Sequence, residues 1–157
     1  MAGHLGLVGG LPLKDNTMRI VIPCWEERIS PVLDTACEVM CADLQAETGA
    51  RTLRLVSLPG THWTASVRVL RELDPQLVIC GAVSGMFYHR LVAPPAQIRV
   101  VTGITGTWSD ALDQWISRGT FCAHQCMPGW KHGGFGGGRG CNRGGRMRGN
   151  GGRSRNR

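Results

Sequence analysis

Two cysteines close short apolar runs, and their sulfurs are the first candidates for chemistry. Cys24 follows Met18-Arg-Ile-Val-Ile-Pro and opens onto Trp25-Glu-Glu-Arg-Ile-Ser-Pro31. Cys80 follows Gln76-Leu-Val-Ile and is succeeded by Gly81. Thiolates are soft ligands that suit iron–sulfur, copper(I) or molybdenum–sulfur centres. Two sulfurs at one rim would hold a cluster weakly without help. Gly81, Ala82 and Ser84 could supply it by presenting N–H groups at a helix start, which favours an anionic guest. The plainer reading is equally consistent: a cysteine at a strand end is also a small apolar core residue.

A second group is Cys122-x-His124-x-Cys126. A three-residue gap lets both sulfurs reach one ion, and His132 and Cys141 could complete four ligands, a donor set open to zinc as well as softer metals. The alternative is a thiol-bearing tail without metal. Cys37 and Cys41 are different: four residues apart on one strand they stand roughly 13 Å apart, too far for one ion, so core packing explains them better. His89 falls on the helix after Cys80 and His62 in a turn, where covering or capping roles suffice. Trp25 either shields a crevice or packs.

Catalysis finds little support. A nuclease of the two-metal kind needs convergent carboxylates, one of them on the first strand. That strand reads Arg-Ile-Val-Ile, and Glu26, Glu27 and Asp34 all lie in the loop beyond it. A thiol oxidoreductase prefers Cys-x-x-Cys at a helix start, and the sequence holds no such pair. The expectation is a protein that is not an enzyme.

The elements that must position these residues can be read from periodicity. Ile20, Val21 and Ile22 are consecutive and β-branched, as in a strand covered on both faces. Pro23 is expected to stop its ladder, having no N–H to donate. Residues 37–44 alternate with Cys37, Val39 and Cys41 on one face, and 51–58 form a third strand in an antiparallel meander. Thr61 is the expected cap of a helix to Leu73, with Trp63, Val67 and Leu70 inside. Strands follow at 77–80 and 98–102. Ser84 caps a helix to Leu91, and Thr107 or Ser109 caps a last helix closed by Gly119. Right-handed crossovers set strands four and five beside strand one. The expected α/β architecture is a five-stranded mixed sheet of order 3-2-1-4-5 with strand two antiparallel, a ribonuclease H-like layout. Ligands bind such sheets outside the carboxyl ends of the strands, where the order reverses.

Charge divides the chain. Of 18 Lys and Arg, seven lie in residues 133–157, which contain no acid. The remaining 11 are matched by 11 Asp and Glu, so the whole +7 sits in the last 25 residues. Gly and Arg dominate there, a composition that cannot bury a core and that would attract an acidic partner or RNA. The expected organisation is a disordered extension at 1–17, a domain at 18–120, a Cys/His segment at 121–132 and a disordered Gly/Arg tail at 133–157. Residues 1–17 do not read as a secretory leader. No apolar run approaches the ~20 residues of a membrane helix. Seven cysteines, an odd number, then point to a reducing cytoplasmic setting and to metal rather than disulfides.

Several segments resemble the dinitrogenase iron–molybdenum cofactor biosynthesis family, the NifX-like proteins and the NifB C-terminal-like domain. Met18–Pro23 is similar to its opening strand, and Arg28-Ile-Ser-Pro-Val-Leu-Asp-Thr-Ala36 to its loop signature. Val78-Ile-Cys-Gly-Ala-Val-Ser84 is similar to its Cys-Gly turn, Thr102-Gly-Ile-Thr-Gly106 to its final loop, and Phe121–Gly129 to one branch's ending. Val32 stands where many members carry His, and Trp130 where that branch carries Cys. The resemblance spans roughly residues 18–130. It implies a domain that binds or carries an iron–molybdenum or related metal–sulfur cluster in cofactor biosynthesis or delivery, nitrogen fixation being the family's setting. A cluster donor or acceptor protein would be its partner. The expected cofactor site is Cys24, Cys80, Gly81 and Ser84, with Cys122, His124 and Cys126 contributing metal ligands; iron, molybdenum, copper and zinc all fit such donors. The competing reading is an RNA- or protein-interaction module acting through the Arg/Gly-rich tail.

Overall fold

A computed structural model describes residues 16–60 and 62–128. Chain order is β1 (Thr17–Trp25), β2 (Arg28–Ile29), β3 (Glu38–Gln45), β4 (Arg51–Ser57), α1 (Trp63–Leu73), β5 (Leu77–Ile79), α2 (Gly85–Val92), β6 (Arg99–Val101) and α3 (Trp108–Arg118). Short 3-10 turns occupy Leu33–Thr35 and Ala123–Gln125. The fold is α/β, with three helices on a six-stranded mixed sheet. Hydrogen-bonded neighbours run β4-β3-β1-β5-β6, and β2 adds to β1 off this path. β1 is antiparallel to β3 and parallel to β5, which is parallel to β6.

β1 lies at the centre, and both of its faces are covered. Alternate residues serve two cores, as the consecutive β-branched run requires. Val21 joins Val39, Cys41, Val67, Leu70, Val78, Phe87 and Leu91 on the side of α1 and α2. Ile20 and Ile22 join Leu77, Ile79, Ala111, Leu112 and Trp115 on the side of α3. A partly buried guanidinium fastens one end. Arg19 forks onto Asp43 of β3 (Nε–Oδ1 2.6 Å, Nη2–Oδ2 3.1 Å) and donates to the Leu73 carbonyl at 2.7 Å. That charge-assisted geometry ties β1, β3 and the end of α1 together.

Local chemistry sets the helix ends. Ser84 Oγ accepts from Phe87 N at 3.3 Å, and Thr107 Oγ1 from Asp110 N at 3.2 Å. Asp74 and Gly119 close α1 and α3 in the left-handed region. α1 is capped by His62, whose ring accepts from Thr64 N. Thr61, the cap expected from sequence, lies outside the described residues, as do the extension at 1–15 and the segment from 129 onward.

One expectation needs correction, and two features add to the sequence reading. Pro23 does not end the first strand, for β1 runs on to Trp25 with Pro23 opposite Val39. Gln76 N donates to Arg19 O on the β5 side, so alternation aims the nitrogen of Pro23 to that side as well. β5 has ended at Ile79 by then, and no donor is required there. The sheet also gains β2, because Arg28 and Ile29 turn back against Trp25 and Cys24. Residues 121–128 pack onto the domain. Phe121 stacks on Trp115 at 5.9 Å, and Ile104 and Cys126 form an antiparallel bridge.

Phe87 is fully buried between α2 and the sheet, 6.4 Å from Trp63. Phe87→Ala should cost about 3–5 kcal/mol of stability. Urea unfolding followed by circular dichroism should show a lower midpoint with an unchanged slope.

Candidate functional site

At the carboxyl ends of β1 and β5, three loops are stitched side by side. Ala82 N donates to Pro31 O at 2.8 Å and Leu33 N to Ala82 O at 2.8 Å. Gly103 N donates to Gly81 O at 2.8 Å, and Met127 N to Gly103 O at 2.8 Å. The Ile-Ser-Pro loop, the Cys-Gly turn, the 103–106 loop and the last described segment thus form one rim. Gly81 is what lets them meet. A Cβ there would stand 2.5 Å from Pro31 O, 3.0 Å from Ser30 O and 2.9 Å from Met127 Cε. No side chain fits.

Cys24 and Cys80 reach this rim on neighbouring parallel strands, but on opposite faces of the sheet. Residues in register share a face, and Ile20 pairs with Leu77 and Val21 with Val78. Alternation then carries Cys24 with Ile20 and Ile22, while Cys80 goes with Val78. Their surroundings agree: Cys80 packs with Val21 and Phe87, whereas Cys24 sits across from Ile29 of the α3-side core. The structure thus sets the two cysteines on opposite faces of the sheet, where the sequence reading expected their sulfurs at one rim site.

Both thiols are also held neutral. Burial, with a smaller push from Asp34, drives Cys80 up to about 12. Burial, with a smaller push from Glu38, raises Cys24. Cys41, in the α1/α2-side core, is raised by burial too. Cys37 precedes β3 and is exposed.

The Cys122–Cys126 segment does not gather its donors either. Cys122 Sγ contacts Gln114 Oε1 and receives an N–H from Arg118, both at 3.5 Å. Cys126 Sγ donates to Cys122 O at 3.4 Å, and burial raises its thiol. His124 is exposed on the 3-10 turn, beside Asp110 and Asp113 of α3. Among the described residues, no three His, Cys, Asp or Glu side chains are placed to hold a metal ion. His132 and Cys141 lie outside the described residues. His89 is exposed, edge-on to Tyr88 at 6.0 Å.

The residue that sequence reading missed is Asp34. Its Oδ2 accepts from Ser84 N at 2.9 Å, so a carboxylate from the Ile-Ser-Pro loop sits at the N-terminus of α2. The pair is separated by 50 residues, and no local pattern announces it. Of the N–H groups expected to face a guest, Ala82 and Ser84 are already bonded within the rim. Those of Gly85 and Met86, in the first turn of α2, have no partner among the described residues. Apolar side chains stand exposed around them: Val32 at 37%, Met86 at 66% and, at the end of β1, Trp25 at 73%.

No family model and no curated protein matches the sequence. Solved structures do. The chain is similar to the protein PH0822, with a TM-score of 0.57 and 18% identity over 64% of this chain and 89% of that one. It is similar to MJ0327 of Methanocaldococcus jannaschii, described as a candidate dinitrogenase, with a TM-score of 0.50 and 13% identity over 66% of this chain and 90% of that one. The solution structure of MJ0327 gives the same score and identity, covering 66% and 89%. These likenesses extend along nearly the full length of the matched proteins and show a shared fold. No helix among the described residues is long and apolar enough to cross a membrane.

Two substitutions separate space from backbone freedom at the rim. Gly81→Ala should lower stability by about 1–3 kcal/mol, because backbone oxygens cannot move aside. Gly85→Ala, where a Cβ meets nothing within 4 Å, should be neutral or slightly stabilising in a denaturant titration. The Cys80 thiol makes a further prediction. Its folded value is raised, so its contribution is intact below the unfolded thiol range and is lost as pH climbs towards 12. Between pH 7.5 and 10 the wild type should lose about 1–2 kcal/mol more than Cys80→Ala.

Proposed function

We propose that the chain is a non-enzymatic carrier of a metal–sulfur cluster, of the iron–molybdenum or a related kind, and that the cluster docks outside the α2 N-terminus. The observation that carries this reading is the pair of unpartnered N–H groups of Gly85 and Met86. They lie at the point where β1 has β3 on one side and β5 on the other. Ligands of open α/β sheets bind at such a reversal. The ribonuclease H-like reading of the layout and the likeness of fold to MJ0327 support the same choice.

The donor set shapes the proposal. Two thiols buried on opposite faces of the sheet favour a reading without a shared thiolate clamp. The rim offers instead N–H groups, which solvate anionic sulfur, and the Asp34 carboxylate, which can ligate a metal ion. Val32 and Met86 would exclude water from one side of the guest. Weak, open holding of this kind suits a carrier that must pass its cargo to an acceptor protein. Cofactor assembly for nitrogen fixation is the setting that the motif resemblance implies.

Anaerobic loading of the full chain with iron, molybdenum and sulfide tests this. Bound metal is quantified and the visible spectrum recorded. Wild type, Cys24→Ser and Cys80→Ala should all take up stoichiometric metal with sulfur-to-metal charge-transfer bands. Asp34→Asn, which can still accept from Ser84 N, should lose most of it. Loss in Cys24→Ser or Cys80→Ala would restore a thiolate rim, and loss confined to Cys122→Ser or Cys126→Ser would move the site to that segment. A folded, colourless and metal-free wild type would overturn the carrier reading.

A further inference from the structure

A separate cleft lies between α1 and α2. It has a volume of about 620 Å³, within the range of small-molecule sites. Arg68 and Arg71 of α1 line it, and Arg90 of α2 joins them. Arg68 and Arg71 are three residues apart on a helix, so their side chains leave from neighbouring points on one face. None of the three guanidiniums makes an ion pair or a side-chain hydrogen bond among the described residues, although Glu72 lines the same cleft. Two arginines near helix C-termini can merely complement the helix dipoles. Three lining one concavity, with the Glu72 carboxylate beside them left unpaired by them, exceed that role.

The arginine end of the cleft lies away from the rim. α2 begins at the rim and carries Arg90 in its last turn, and Arg71 lies in the last turn of α1, just before the chain enters β5. Both arginines therefore sit towards the amino ends of the parallel strands. The other walls are Trp63, partly exposed, and the Pro95–Ala96 corner.

We propose that this cleft binds a nucleoside phosphate, its phosphate held by Arg68, Arg71 and Arg90 and its ring set beside Trp63. Guanidinium forks match phosphate oxygens in pairs. The indole and the proline corner give a flat ring apolar surface to lie against. The Glu72 carboxylate supplies acceptors for ribose hydroxyls or a base amino group. Inorganic phosphate alone would leave the apolar walls and the acceptors idle. The same nucleotide unit comes free in solution or at one position of a single strand.

Isothermal titration calorimetry on the full chain with AMP, inorganic phosphate and a short oligoadenylate tests the assignment, at physiological salt so that the basic tail is screened. AMP should bind one to one, more tightly than phosphate. The double variant Arg68→Gln/Arg90→Gln, melting at the wild-type temperature, should weaken AMP by about tenfold or more, ~1.4 kcal/mol. A parallel fall in oligoadenylate affinity would identify the strand as the source, and an unchanged oligoadenylate affinity the free nucleotide. AMP binding equal in wild type and variant would overturn the proposal, as would phosphate binding as tight as AMP. So would the absence of AMP binding at ~1 mM, the weak end of specific affinity.

Discussion

The carbonyl oxygens of Ser30 and Pro31 press so closely on Gly81 that no other residue fits between them. That contact draws the loop after β2 onto the turn after β5, and the hydrogen bonds through Ala82, Gly103 and Met127 extend the seam. Everything at the carboxyl end of the sheet takes its position from it. The Asp34 carboxylate is delivered to the start of α2, and the described C-terminal segment is folded back across the 103–106 loop. A substitution at Gly81 would therefore act on three loops together rather than on one turn.

A second constraint works through burial. β1 is covered on both faces, so each of its side chains must enter one core or the other. For Cys24 and Cys80, adjacency along the rim comes with separation across the sheet. Removing each thiol from water also keeps it protonated. Both cysteines are buried within the fold. The receptive chemistry of the rim passes to backbone N–H groups and one carboxylate.

The opposite end of the sheet is governed by charge. There the ends of α1 and α2 place three arginines along one cleft. The rim is rich in N–H groups and apolar side chains, the cleft in guanidinium groups. The proposed guests differ accordingly, a cluster at the rim and a nucleotide in the cleft.

Much of the architecture was legible in the residues themselves. The β-branched run at 20–22, the caps at Ser84 and Thr107 and the left-handed stop at Gly119 act within one element, and their periods and positions appear directly in the chain. The segments that meet at the rim could also be picked out one by one. Their relations were decided by tertiary structure. Which face Cys80 shares depends on its register against β1, and register between strands 57 residues apart in sequence leaves no local trace. The continuation of β1 through Pro23 depended on which side its nitrogen would face. Asp34 and Ser84, or Arg68 and Arg90, become neighbours because helices and loops pack on a common sheet. Sequence by itself determined what each element is and which side of it is apolar. Three-dimensional packing decided which polar groups were left unused, because an unused group is a property of all its neighbours at once.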